Sequence, residues 1–304
     1  MRIMITGGAG FIGSHAADYL SQILSHKVFI LDNLSTGRKE NLEHDYPLMI
    51  GDIANINHVQ EAFDRFAPDA VIHLAAQAAI STSWEFPDVD ARTNILGTLN
   101  LICACKKYRV QRMVFSSTSA VYDSGDMLPL KESQRVGPDS PYGISKLTAE
   151  TYIRTLLPGS VILRLGNVYG PRQVPLGENQ VVPRMIRHFE DGDVFAITGD
   201  GQQKRDFVYV GDVAHAISCA LHGEAGTYNI AGGQSTTVNQ LAAIMESIYE
   251  VPGYNWLHTN VNDPRQDNCM DITRAKKGLN WEPAMTLWDG LRETVTWWKM
   301  RGNK

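Results

Sequence analysis

Residues 1–13, Met-Arg-Ile-Met-Ile-Thr-Gly-Gly-Ala-Gly-Phe-Ile-Gly, constrain this chain more than any other stretch. Arg2 to Thr6 reads as a short buried strand, and Gly7, Gly10 and Gly13 follow it. Apolar residues at helical spacing come next: Phe11, Ile12, Ala16, Tyr19, Leu20 and Ile23. Strand, glycine turn and helix in that order form a cradle for the pyrophosphate of a dinucleotide. Gly7 permits the tight turn. Gly10 lets backbone approach phosphate with no Cβ in the way, and Gly13 lets the helix lie close on the sheet. The free N–H groups and dipole of the new helix then face the phosphates. A glycine triplet alone is a weak signal, because a strand-to-helix turn can want glycine without any ligand. The second strand, Lys27 to Leu31, strengthens it by ending in Asp32, about twenty residues past the glycines. A carboxylate there accepts hydrogen bonds from both adenosine ribose hydroxyls and repels a 2′-phosphate, which favours NAD over NADP.

The rest of the first half alternates strand and helix. Strands are expected at Leu48–Ile50, Ala70–Leu74, Met113–Ser116 and Val161–Leu165, and helices at Ile56–Phe66, Val89–Tyr108 and Tyr142–Leu157. Apolar strands separated by helices argue an α/β fold, a Rossmann-type doubly wound parallel sheet covered on both faces. The second half is less regular, with helices at Val181–Glu190, Val213–Leu221, Val238–Tyr249 and Leu287–Lys299 and strands at Phe195–Ile197, Phe207–Val210 and Thr227–Ile230. The expected division is residues 1–165 as the dinucleotide-binding domain, with 205–228 returning to it. Residues 166–304 then form mainly a smaller α/β substrate lobe. Ligands of open α/β sheets bind beyond the carboxyl ends of the strands. Gly7–Gly13, Asp32, Asp52-Ile53, Ala75–Gln77, Ser116–Thr118 and Gly166–Tyr169 all fall on that rim and are read as one site.

Composition narrows the partners. A net charge of −5 with no basic tract gives a nucleic acid nothing to bind. No apolar run reaches the roughly 20 residues needed to span a bilayer, and no signal peptide is expected, since removing the first strand would destroy the cofactor site. Cys103, Cys105, Cys219 and Cys269 lack metal-ligand spacing and read as reduced thiols of a cytoplasmic protein. No metal site is expected.

Tyr142-Gly-Ile-Ser-Lys146 places a phenol and an ammonium at i and i+4, on one face of a helix that Ser140 and Pro141 begin. A cation beside the phenol, and the positive nicotinamide ring, are expected to lower its pKa. Such a phenol can take a proton from a sugar hydroxyl while the hydride leaves for NAD. The segment Phe115-Ser-Ser-Thr-Ser-Ala-Val-Tyr122 supplies a hydroxyl at a strand end for the reacting oxygen.

These segments resemble the extended short-chain dehydrogenase/reductases, specifically the NAD-dependent epimerase/dehydratase family, and within it the enzymes acting at C4 of UDP-sugars. The resemblance runs from Met1 to about Trp288. It includes the Gly-x-x-Gly-x-x-Gly spacing, Asp32-Asn33-Leu34-Ser35-Thr36-Gly37, Gly51-Asp52-Ile53, His73-Leu74-Ala75-Ala76-Gln77, Asn94-Ile-Leu-Gly-Thr98, Asn167-Val-Tyr-Gly-Pro-Arg172 and Arg205-Asp-Phe-Val-Tyr-Val210. It implies Tyr142 as acid/base, Lys146 on the nicotinamide ribose, and Thr118 as the catalytic hydroxyl. It implies a cofactor shell of Gly7, Gly10, Phe11, Ile12, Gly13, Asp32, Asn33, Ser35, Thr36, Gly37, Asp52, Ile53, Leu74, Ala75, Ala76, Gln77, Asn94 and Ser116, with Tyr142 and Lys146. Asn167, Val182, Arg205, Arg265 and Asn268 join Thr118 and Tyr142 as substrate contacts. Arg205 and Arg265 are placed on the sugar-nucleotide diphosphate and Asn268 at the position limiting pocket size. The implied reaction is reversible epimerisation of UDP-glucose and UDP-galactose through a 4-keto sugar, with N-acetyl forms admitted by a small residue at 268.

Related dehydratases carry Asp-Glu after the threonine, and related decarboxylases a Glu two residues after it. Ser119 and Ala120 stand there and move no proton. A non-catalytic dinucleotide-binding scaffold is the reading from another class, and an intact Thr118, Tyr142 and Lys146 weighs against it. Relatives pair as homodimers through the helices matching Val89–Tyr108 and Tyr142–Leu157. Asp123 departs from the pattern, replacing a usual glycine.

Overall fold

The computed structural model describes residues 1–123, 125, 127–175, 180–254, 256–259 and 267–302. In chain order the first half contains β1 (Arg2–Thr6), α1 (Phe11–Asp18), β2 (Lys27–Asp32), β3 (Leu48–Ile50), α2 (Ile56–Phe66), β4 (Ala70–His73), α3 (Ile80–Glu85), α4 (Pro87–Ala91), α5 (Thr98–Tyr108), β5 (Arg112–Thr118), α6 (Pro141–Leu156) and β6 (Val161–Leu165). The second half contains β7 (Asn167–Tyr169), α7 (Val181–Asp191), β8 (Phe195–Ile197), β9 (Lys204–Tyr209), α8 (Val210–His222), β10 (Gly226–Ile230), β11 (Ser235–Thr237), α9 (Val238–Tyr249), β12 (Trp256–His258), α10 (Thr273–Gly278) and α11 (Leu287–Gly302).

The central sheet has seven strands in the order β10-β6-β5-β4-β1-β2-β3, each pairing parallel with its neighbours. Alternation along β1 divides the core, because successive strand residues point to opposite faces. Ile3 and Ile5 join Leu20, Val213 and Ile217 under α1 and α8, while Met4 joins Phe63, Ile102 and Ile153 under α2, α5 and α6. The fold is therefore the doubly wound sheet that apolar strands separated by helices imply. β10 comes from the second half and completes the edge beside β6. β9 instead pairs with β7 and β11, and β8 with β12, so two small sheets build the second lobe with α7, α9 and α11. Among the described residues no helix is long and apolar enough to cross a membrane.

Two local departures have physical causes. The helix expected over Val89–Tyr108 is interrupted by a wider turn at Arg92–Gly97. There Asn94 turns its amide to the residues after β4, and its carbonyl takes the Thr98 hydroxyl at 2.6 Å; such bulges occur where a side chain enters the helical ladder. Strands β7, β11 and β12 were not foreseen. At three residues each and with polar residues among them, they lack the short apolar run that marks β3 and β8.

Candidate active site

The turn after β1 is shaped by steric exclusion. Gly7 lies at φ +72°, and a Cβ on it would sit 2.6 Å from the Ala75 nitrogen. A Cβ on Gly13 would sit 2.1 Å from the Gly7 oxygen. Neither position tolerates a side chain. The Gly10 N–H closes the turn onto the Gly7 oxygen at 3.1 Å. α1 begins with no side-chain cap, which leaves the first-turn amides of Phe11, Ile12 and Gly13 for an anion. Asp32 ends β2 in a buried position and accepts the Ala9 N–H at 2.9 Å and the Leu34 N–H at 2.8 Å. Burial raises its pKa, and those two donors oppose the rise. A Cβ on Gly37 would meet the Asp32 carboxylate at 2.8 Å, so glycine there lets the Asn33–Gly37 loop close over the acid. Asn33 braces that loop by accepting the Ser35 N–H, and Ser35 and Thr36 are exposed. A pyrophosphate cradle with a ribose-binding acid beside it fits NAD.

Along the same rim, Asp52 caps the Ala54 N–H at 2.8 Å, and Ile53 is buried. Leu74, Ala75, Ala76 and Gln77 are half-buried. Gln77 and Asn94 clamp each other: the Gln77 N–H donates to Asn94 Oδ1 at 2.9 Å and Asn94 Nδ2 to the Gln77 oxygen at 3.0 Å. The Ser116 hydroxyl donates to the His73 oxygen at 3.3 Å. His73 joins the ends of β1 and α5. Its Nε2 lies 2.9 Å from the Thr98 hydroxyl, whose proton goes to Asn94, so Nε2 donates and Nδ1 accepts from Thr6 at 2.9 Å. Burial pushes the ring pKa down to about 3, then the Lys146 charge adds to it, so His73 is a neutral structural link.

Thr118 closes β5, and Tyr142 and Lys146 lie one turn apart on α6, which Ser140 caps by accepting the Gly143 N–H at 3.2 Å. A Cβ on Gly143 would fall 2.4 Å from the Ala120 oxygen; glycine therefore lets the start of α6 pack against the turn that follows Thr118. The Tyr142 phenol is enclosed although the residue keeps some accessible surface. Its pKa corrects the sequence expectation. Burial pushes the phenol up to about 12, outweighing a hydrogen bond from the Thr118 hydroxyl that pulls it down, and the Asp90 charge adds to the rise. Lys146 is itself lowered to about 7 by burial, against the opposing charges of Asp90 and Glu150. Its Nζ rests 4.4 Å above the Phe115 ring. The chain's own groups thus keep Tyr142 protonated at neutral pH.

The buried lysine has a measurable consequence. Its folded pKa of about 7 lies below its ordinary 10.5. Between those values the unfolded state binds more protons, so this group's contribution to stability rises with pH. In the cofactor-free protein Lys146→Met should melt above the wild type at pH 7. The gap should narrow toward pH 9.5, by at most about 1.4 kcal/mol per pH unit. A gap that does not change with pH would refute the buried titration.

Glu150, one turn beyond Lys146, was missed from sequence. It is fully buried and accepts Ser117 Oγ at 2.5 Å, Arg164 Nε at 2.9 Å and Nη2 at 2.8 Å, and Arg154 Nη1 at 2.8 Å. Arg164 in turn lies 4.7 Å from the Tyr122 ring, whose hydroxyl donates to Asn229 at 2.6 Å. The visible signal was a charge in the apolar strand Val-Ile-Leu-Arg-Leu, which demands a buried partner. Asp123 also finds a role: it accepts the Gly125 N–H at 3.1 Å and faces Arg135 at 3.8 Å, bracing its loop.

On the second lobe, Asn167 pairs in register with Phe207, two residues from Arg205, so the two polar residues belong to one face of that sheet. Arg205 Nη1 donates to the Lys204 oxygen at 2.7 Å. Buried Asp206 accepts the Gly232 N–H at 2.7 Å and the Met270 N–H at 2.9 Å. Burial lifts its pKa to about 6 against these bonds. Asn268 reaches the turn that follows Thr118, its Nδ2 donating to Ser119 Oγ at 2.9 Å. Val182 is buried in the lobe's core with Met185 and Ile186. Arg265 lies outside the described residues.

The family model for the NAD dependent epimerase/dehydratase family matches residues 3–231. UDP-glucose 4-epimerase of Mycolicibacterium smegmatis is 34% identical over 98% of this chain and 99% of its own length. The crystal structure of Thermotoga maritima UDP-glucose 4-epimerase with UDP-glucose superimposes with a TM-score of 0.94 at 36% identity, covering 99% of both chains. UDP-N-acetylglucosamine 4-epimerase of Methanobrevibacter ruminantium, in complex with UDP-N-acetylmuramic acid, superimposes at 0.89 with 33% identity, over 99% of this chain and 98% of that one. UDP-glucuronic acid decarboxylase 1 of Arabidopsis thaliana also aligns, at 32% identity over 97% of this chain and 69% of its own. Glycine cradle, ribose acid and Thr-Tyr-Lys cluster agree with these likenesses: the chain is an enzyme of the NAD-dependent epimerase/dehydratase family, and NAD is its cofactor.

Proposed function

We propose that this enzyme interconverts C4 epimers of a UDP-sugar, UDP-glucose and UDP-galactose first, through a transient 4-keto sugar. The observation that carries this reading is the segment after Thr118. Ser119 Oγ is taken by Asn268, and Ala120 forms the turn against Gly143. No carboxylate follows Thr118 to serve the extra proton transfers of a dehydratase, nor the glutamate of the related decarboxylases. Tyr142 then exchanges the proton of the 4-hydroxyl, Thr118 hydrogen-bonds that oxygen, and Lys146 holds the nicotinamide ribose and favours phenolate when charged. NAD, when bound, would supply the hydride acceptor for C4 and the donor for its return. Arg205 and Arg265 are assigned to the diphosphate, whose oxygens suit a guanidinium fork. The four free thiols agree with a cytoplasmic location.

Asn268 is the proposed size limit, and the N-acetylhexosamine substrate named for the Methanobrevibacter relative agrees with a pocket that admits the N-acetyl group. Proton NMR of UDP-glucose, UDP-galactose and their N-acetyl forms, each with purified protein and no added cofactor, tests the whole reading. Growth of the C4 epimer's anomeric signal supports it; no change in any of the four, before and after NAD is added, sinks it. In the same assay Asn268→Tyr should cut N-acetyl turnover at least tenfold relative to the hexoses. An unchanged ratio removes Asn268 from the pocket.

A homodimer is proposed through α5 and α6. Ile144 and Tyr152 on α6, Leu96 in the wide turn that leads into α5, Val89 on α4, and Trp84 and Phe86 at the end of α3 are exposed large apolar residues, and such a group marks an association surface. Light scattering of the same preparation should give twice the 33.7 kDa chain mass.

A further inference from the structure

Tyr142 occupies the second position of α6, where its N–H has no partner within the helix. The helix's own cap, Ser140, takes the next amide, that of Gly143. The Tyr142 N–H is taken instead by Ser83, a fully buried residue of α3 distant in sequence, whose Oγ accepts it at 3.1 Å. That hydroxyl's own proton goes to the Ile80 oxygen at 2.7 Å, so its lone pairs point at α6. On the other side of the same residue, the Tyr142 carbonyl accepts Ser145 Oγ at 3.0 Å, and Ser145 Oγ accepts Asn94 Nδ2 at 3.1 Å. Both supports return to one place. Asn94 is clamped to Gln77, Gln77 Nε2 donates to the Ala79 oxygen at 2.9 Å, and that oxygen also takes the Ser83 N–H at 3.1 Å.

We infer that Ser83 is a positioning residue for Tyr142: it fixes the phenol's main chain against the rim formed by Gln77 and Asn94, without touching the reacting atoms. Two oxygen-mediated bonds, one on each side of a single residue, leave the Tyr142 backbone no freedom to fray as a first helical turn otherwise does. Acid/base transfer depends on that placement, because a misplacement of about 1 Å can cost on the order of 100-fold in rate. The Tyr142–Thr118 hydrogen bond depends on it too.

The inference rests on Tyr142 as the acid/base, and the test keeps the two apart. In the NAD-bound enzyme, Ser83→Ala should lower kcat about tenfold with KM and bound NAD unchanged, and should move the acid limb of the kcat profile to higher pH. Ser83→Thr should restore kcat to within about threefold, since a threonine hydroxyl can make the same back-bond to the preceding turn. A kcat within twofold of wild type with an unmoved limb overturns the inference. So does loss of KM or NAD in step with kcat, or a folded Ser83→Thr as slow as the alanine variant. If the wild type converts no UDP-sugar, the functional reading fails, and Ser83 is judged by ultraviolet phenolate titration of the holoenzyme with Tyr142→Phe subtracted. Ser83→Ala should then shift the Tyr142 midpoint upward, and an unmoved midpoint overturns the inference.

Discussion

Tyr142→Phe should lower kcat for UDP-sugar epimerisation by about 100- to 10,000-fold, the range supplied by a positioned acid/base, while the protein remains folded and retains NAD. The ring and its packing survive; the hydroxyl alone is lost. Stability should change little, because a single buried hydroxyl is lost and the ring keeps its packing. Discrete-time NMR of the anomeric protons gives the rate, and a melting curve gives the stability. A variant that keeps more than a tenth of wild-type kcat would remove Tyr142 from proton transfer. The activity profile should show why the cofactor matters to this phenol. Held at about 12 by burial, it needs the positive charge of bound NAD, and a protonated Lys146, to give up its proton near neutrality.

Glu150→Ala should destabilise the protein by about 3–5 kcal/mol, the cost of removing one partner from a buried ion pair. Arg164 would remain beneath α6 with its charge uncompensated. Burial pushes the Glu150 carboxyl up, but the Arg164 hydrogen bonds and charge outweigh it and hold its pKa below the usual value. The stabilisation is therefore present above the ordinary glutamate pKa of about 4.5 and is lost as pH falls below it. Denaturant melts at pH 7 and pH 4 read both effects. The double variant Glu150→Leu with Arg164→Met should recover much of the loss, since a packed apolar pair carries no desolvation cost. If the double variant is as unstable as Glu150→Ala, the loss comes from α6 packing rather than from the ion pair. Activity should fall with Glu150→Ala as well, because Ser117 and Thr118 are neighbours at the end of β5.

Much of this was legible in the chain itself. Gly7 and Gly13 state their purpose because only glycine survives the approach of Ala75 and of Gly7's own carbonyl. Asp32 is legible because a carboxylate ending an apolar strand must meet donors. Tyr142 and Lys146 share a face because a helix repeats every 3.6 residues. The Tyr142 pKa was not legible. Sequence spacing names the charges near a phenol, but the sign of its shift depends on how much water it loses, and here burial outweighs the rest.

The alternation of strand and helix in the first half, the glycine turn after β1 and the shared face of Tyr142 and Lys146 were thus legible in sequence alone, since each follows from local sterics or helical period. Tertiary structure decided the supports: Ser83 beneath the Tyr142 amide, Arg164 against Glu150, Asn94 turned from its helix toward Gln77, and Asn268 beside Ser119. Each joins residues from different elements. Such a bond depends on how helices and strands dock, and no local pattern encodes that distance.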